Sequence, residues 1–87
     1  MKLKKDFVLR KIVGTWAVMA VGSETANFHK MLTLNDSGAM LWNLLAEGKG
    51  QEELADALMA EYDVERAVAM EDAAEFMQML QKAGCME

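Results

Sequence analysis

The sequence has 87 residues, 53% of them apolar, with no proline, one cysteine, one histidine and a formal net charge of −5. That length suits one domain, residues 1–87, and the apolar fraction excludes a disordered chain. The lone Cys85 excludes an internal disulfide and a multi-cysteine zinc site, and one imidazole beside one thiol argues against a transition-metal centre or Cys/His catalysis.

The charge is polarised along the chain. Residues 1–46 carry six basic against three acidic groups, and residues 47–87 carry three basic against eleven acidic groups. A net acidic chain repels phosphate backbones, so no nucleic-acid partner is expected. The start, Lys2 to Lys11 before Ile12–Val21, has a superficial likeness to a signal peptide. However, Asp6 falls inside its basic part, and Gly14-Thr15 interrupts the apolar run. No stretch approaches the ~18 apolar residues of a membrane span, so a cytoplasmic protein with no membrane partner is expected.

The first third reads as strands. Phe7–Ile12 and Thr15–Val21 are rich in β-branched and aromatic residues, and Val13-Gly14 between them suits a tight hairpin. In the second segment Trp16, Val18 and Ala20 share one face and Ala17, Met19 and Val21 the other. Both faces are apolar, which predicts a strand that is central or covered on both sides. Gly22-Ser23-Glu24-Thr25 reads as a loop, and a short third strand follows at about Met31–Leu34.

The period then becomes helical. Asn35 or Asp36 is a good N-cap for a helix carrying Ala39, Leu41, Trp42, Leu44 and Leu45, which Gly48-Lys49-Gly50 ends. A second helix is predicted over Gln51–Glu61. Asp63 is the predicted cap of a third, Val64–Ala83, stopped by Gly84. Its main apolar stripe is Ala69, Ala73, Phe76, Leu80 and Ala83, with Met70, Ala74 and Met77 beside it. The expected class is α+β: three N-terminal antiparallel strands followed by three helices, in a winged-helix-like arrangement. That shape often binds DNA through a basic helix, but here the third helix carries Glu65, Glu71, Asp72 and Glu75 against Arg66 and Lys82.

No catalytic constellation is visible, and the chain is not expected to be an enzyme or to hold a cofactor or metal. His29 reads as a polar loop or strand-edge residue, Cys85 as a passive tail thiol, and Ser37 as part of a helix's first turn. Glu71, Asp72 and Glu75 read as a solvated helix face, and no phosphate-binding glycine loop is present. What remains is binding. A third strand at the sheet edge would offer unpaired backbone groups, and the Met70/Ala74/Met77 stripe beside Ala73 would offer an adaptable apolar groove. Together these suit an extended peptide, although Met70 and Met77 serve equally well to complete the core. Micromolar binding needs about 8 kcal/mol. Roughly five strand hydrogen bonds at about 1 kcal/mol each fall short of it, so buried apolar side chains must supply the rest.

The run Met31-Leu32-Thr33-Leu34-Asn35-Asp36-Ser37-Gly38-Ala39, then Leu41-Trp42, resembles the signature of the coenzyme PQQ synthesis protein D (PqqD-like) family. FVLRKIVGTWAVMAVG, EELADALMAEYDV, and Asp72 with Phe76 and Leu80 extend the resemblance over nearly the whole chain. It implies a RiPP recognition element: a non-catalytic adaptor that binds the leader region of a ribosomally made precursor peptide by strand addition. The adaptor presents that peptide to a modifying enzyme, often a radical SAM protein. The family's peptide site maps by position to Met31, Leu32, Thr33 and Leu34 on the strand and to Met70, Ala73, Ala74 and Met77 on the helix. The chain lacks the Tyr-Pro-Glu-Gly type segment of PQQ-pathway members, which points to a product other than PQQ. Two alternatives stay open at this stage: a winged-helix DNA-binding regulator, and a small structural subunit or homodimer joined through the strand edge.

Overall fold

The computed structural model describes residues 3–21 and 32–87. Strands β1 (Phe7–Ile12), β2 (Thr15–Ala20) and β3 (Leu32–Leu34) precede helices α1 (Asp36–Ala46), α2 (Gln51–Glu61) and α3 (Arg66–Lys82). The sheet is antiparallel in the order β1-β2-β3, so β2 is central. Phe7, Val18 and Leu34 project from one sheet face into a core shared with Leu41, Trp42 and Leu45 of α1, Leu54 and Leu58 of α2, and Leu80 of α3. α2 packs on α3 and on α1, and α1 packs on β3. The expected loop at Gly22–Thr25, His29 and the Met31 start of the third strand lie outside the described residues.

The hairpin turns on two residues that both have positive φ, Val13 at 48° and Gly14 at 77°. This is the mirror-image turn whose twist matches the flanking strands. Glycine accepts the conformation freely, whereas a β-branched residue is strained in it. Val13 is also 98% exposed, so no packing offsets the strain. Val13→Asn is therefore expected to stabilise the protein by about 0.5–1 kcal/mol and to raise Tm by roughly 3–6 °C in a thermal melt.

α1 begins as expected. Asn35 Oδ1 accepts the Gly38 N–H at 2.8 Å and the Ser37 hydroxyl at 2.9 Å. At α2, Glu53 reaches back to accept the Gly50 N–H at 2.9 Å. The third helix starts later than its sequence suggests. Its N-cap is Glu65 rather than Asp63, because Tyr62 is extended and the Val64 N–H turns back to the Tyr62 carbonyl. This lets Val64 pack against the core ahead of the helix.

The C-terminus is not a passive tail. Gly84, at φ 84°, folds the chain back so that the Gly84 N–H donates to the Gln81 carbonyl and the Cys85 N–H to the Leu80 carbonyl. Cys85 and Leu80 then enter the core together, both fully buried. Lys4 donates its N–H to the Cys85 carbonyl at 2.8 Å, and Leu3 bridges Met86, so both ends of the described chain are tied into one structure. Burial pushes the Cys85 thiol up to about 11, with Lys4 acting weakly in the opposite direction. The folded protein then holds this proton where the unfolded chain releases it. Stability should accordingly fall as pH rises from about 9 toward about 11. A thiol-specific reagent at neutral pH should label Cys85 only as the protein unfolds.

Candidate functional site

A two-residue turn fixes which backbone groups face which neighbour. It makes Ile12–Thr15 a hydrogen-bonded pair, and an antiparallel ladder alternates from there. The Val21 N–H donates to the Asp6 carbonyl at 2.7 Å, six residues along the ladder and so of the same parity. Thr15, Ala17 and Met19 thus spend their amide groups on β1. Trp16 and Val18 direct theirs to β3, where their register partners are Leu34 and Leu32. Thr33, opposite Ala17, is left with its N–H and C=O pointing away from β2. No strand among the described residues pairs with that side of β3.

Beside this edge lies an open cleft of about 420 Å³. Thr33 and Leu34 form one wall, and the start of α1 closes its corner with Asn35, Ser37 and Gly38. Leu41 and Leu58 reach it from the core. The opposite wall is a stripe of α3: Asp72, Glu75, Phe76 and Met79. Their spacing of i, i+3, i+4 and i+7 puts them on one helical face. Gly38 makes the close corner feasible. A Cβ there would lie 3.2 Å from the cap oxygen of Asn35 and 3.2 Å from Leu34 Cβ. The Trp16 indole N–H donates to Asp36 Oδ1 at 3.0 Å and pins the head of α1 to β2. Lys11 Nζ sits 5.3 Å from the Trp16 ring centroid.

The residues singled out from the sequence separate into groups. Thr33 and Leu34 line the cleft, Leu32 is half-buried next to them, and Met31 lies outside the described residues. On α3, Ala73 is fully buried, Met70 and Met77 are half-buried against the core, Ala74 is half-buried, and none of the four lines the cleft. The reason is rotational. Ala69, Ala73 and Leu80 form the inward seam, and at 100° per residue Met70, Ala74 and Met77 fall on one side of it. Asp72, Phe76 and Met79 fall on the other side, which faces β3. The Met70 carbonyl also accepts a hydrogen bond from Gln51 Nε2 at 3.0 Å, tying α3 to the head of α2.

Chemically, the cleft offers an edge amide pair, an apolar interior and two carboxylates. No group of three His, Cys, Asp or Glu that could hold a metal ion occurs among the described residues. Nor is any described helix long and apolar enough to cross a membrane.

Comparison with known proteins places these features in context. A family model described as coenzyme PQQ synthesis protein D (PqqD) matches residues 15–86. The chain is similar to the protein in a solved structure of TbiB1 in complex with the TbiA(beta) leader peptide, with 29% identity and a TM-score of 0.81 over 100% of this chain and 95% of that one. It shares its fold with lasso peptide synthetase B1 complexed with the leader peptide, with 24% identity and a TM-score of 0.76 over 98% of this chain and 93% of the other. No match is found among curated proteins.

Proposed function

The chain belongs to the coenzyme PQQ synthesis protein D family, and from that premise we propose that it is a non-catalytic adaptor for a ribosomally synthesised precursor peptide. The leader region of the precursor adds to β3 as a fourth strand and lays alternate side chains into the cleft between β3 and α3. The observation that carries this reading is the outward amide pair of Thr33 at the mouth of an apolar cleft. The leader-peptide complex of the similar protein TbiB1 supports it.

The adaptor then presents the bound precursor to a modifying enzyme, a radical SAM protein or another peptide-modifying catalyst. Holding the substrate next to the enzyme raises its effective concentration and requires no catalytic group on the adaptor itself. The eight residues inferred from the resemblance divide the work: Met31 to Leu34 supply the receiving strand, while Ala73 with Met70, Ala74 and Met77 seat the helix that forms the far wall. The side chains of Phe76 and Met79 take the direct contact with the guest. The DNA-binding alternative fits poorly, because the exposed charges on the α3 wall are acidic.

Fluorescence anisotropy with a labelled leader peptide, taken from a short precursor gene next to this one, tests the proposal. Saturable binding that an unlabelled leader displaces is expected, with no chemical change in the peptide. A flat titration with a folded protein contradicts it.

A further inference from the structure

The α3 wall carries an unbalanced charge. Asp72 and Glu75 are exposed, and neither carboxylate has a hydrogen bond or ion pair with another described residue. Among the described residues the opposite rim brings no cation: Thr33, Asn35 and Ser37 are neutral, and the Gly38 N–H is already taken by the Asn35 cap. Three residues of helix separate the two carboxylates by about 4.5 Å along the axis, within reach of one forked cation. Phe76 follows directly on the same wall and adds an aromatic group against which a planar guanidinium can pack. Met79, about one turn further on, is apolar and partly exposed.

An extended guest repeats on the same side every second residue, about 7 Å apart. That step matches the axial distance of about 6–10 Å from the carboxylates to Met79. Resting on the adaptor reading, we propose that the cleft selects a guest segment with a cationic side chain, arginine before lysine, two residues from an apolar anchor. Asp72 and Glu75 are the specificity-determining pair. A guest with an acidic residue at that position leaves three like charges partly desolvated and is rejected.

Panning a randomised dodecapeptide library against the 87-residue protein tests this. Enrichment of Arg/Lys-x-apolar sequences is expected. Replacing the cation by Gln in an enriched peptide should weaken binding about five- to tenfold, and the gap should narrow in high salt. The double variant D72N/E75Q should lose the cation preference while retaining the apolar one, with an unchanged circular dichroism spectrum. Enriched peptides without a cation, or a preference that survives in the double variant, overturn this inference and leave the adaptor reading standing. No enrichment of any peptide by the folded protein overturns both.

Discussion

Thr33→Pro is expected to weaken leader-peptide binding at least tenfold while the protein stays folded. In most strand positions proline is ruinous, because it removes a ladder hydrogen bond. Here the parity of the sheet turns the Thr33 N–H away from β2, so β2 loses nothing. Leu32, the residue before the new proline, is already extended, which proline favours. The guest strand, by contrast, loses an amide donor worth about 1 kcal/mol and meets a ring where its carbonyl would dock. Together these exceed the roughly 1.4 kcal/mol that corresponds to tenfold. Leu34→Pro, one residue along, should unfold the protein, because the Leu34 amide faces β2 and its side chain is buried. Thr33→Val keeps the amide and the β-branch and should bind nearly as well as the parent. Anisotropy and thermal melts on the three variants check the set, and parental affinity in Thr33→Pro would remove strand addition from the account.

Leu80→Ala should cost about 3 kcal/mol and lower Tm by roughly 12–24 °C. Leu80 is fully buried where α3 meets the core, and its carbonyl anchors the Cys85 turn. A domain of this size has a total stability of only about 4–13 kcal/mol, so the loss is a large fraction. The neighbouring Met79→Ala should cost under about 1 kcal/mol, since Met79 is 37% exposed, yet it should weaken peptide binding because Met79 lines the cleft. Adjacent residues on α3 thus separate stability from recognition. Chemical denaturation and peptide titration on both variants would show whether the two properties divide this way. Equal destabilisation by both would place Met79 in the core.

Much of this architecture is legible in the residues. The hairpin at Val13-Gly14, the Asn35 cap and the Gln51–Glu61 helix follow from local chemistry acting within a few positions. Both faces of Thr15–Ala20 are apolar, which suits a strand that is central or covered on both sides, and the pairing with β1 and β3 makes it central. The Thr33 amide was also latent in the sequence, because a two-residue turn dictates ladder parity. It becomes readable only once the β2–β3 register is known. The wall of the cleft is less legible in the residues. Methionine beside alanine looks like a soft groove and acidic residues look like a wet surface, so local chemistry favours the Met70/Ala74/Met77 side of α3. The rotation of α3 is instead set by long-range packing of the seam Ala69, Ala73 and Leu80 against α2 and the core. That packing turns Asp72, Phe76 and Met79 toward β3. The burial of Cys85 is hidden for the same reason: it depends on a chain reversal at Gly84 and on pairing with Lys4, which is distant in sequence.

The most direct test is residue-resolved amide hydrogen exchange across β3. In the free protein the Thr33 amide should exchange rapidly while those of Leu32 and Leu34 are protected. With saturating leader peptide, Thr33 should become protected too. A Thr33 amide that is already protected in the free protein, or that still exchanges rapidly in the complex, would contradict the claim that this edge receives the guest strand.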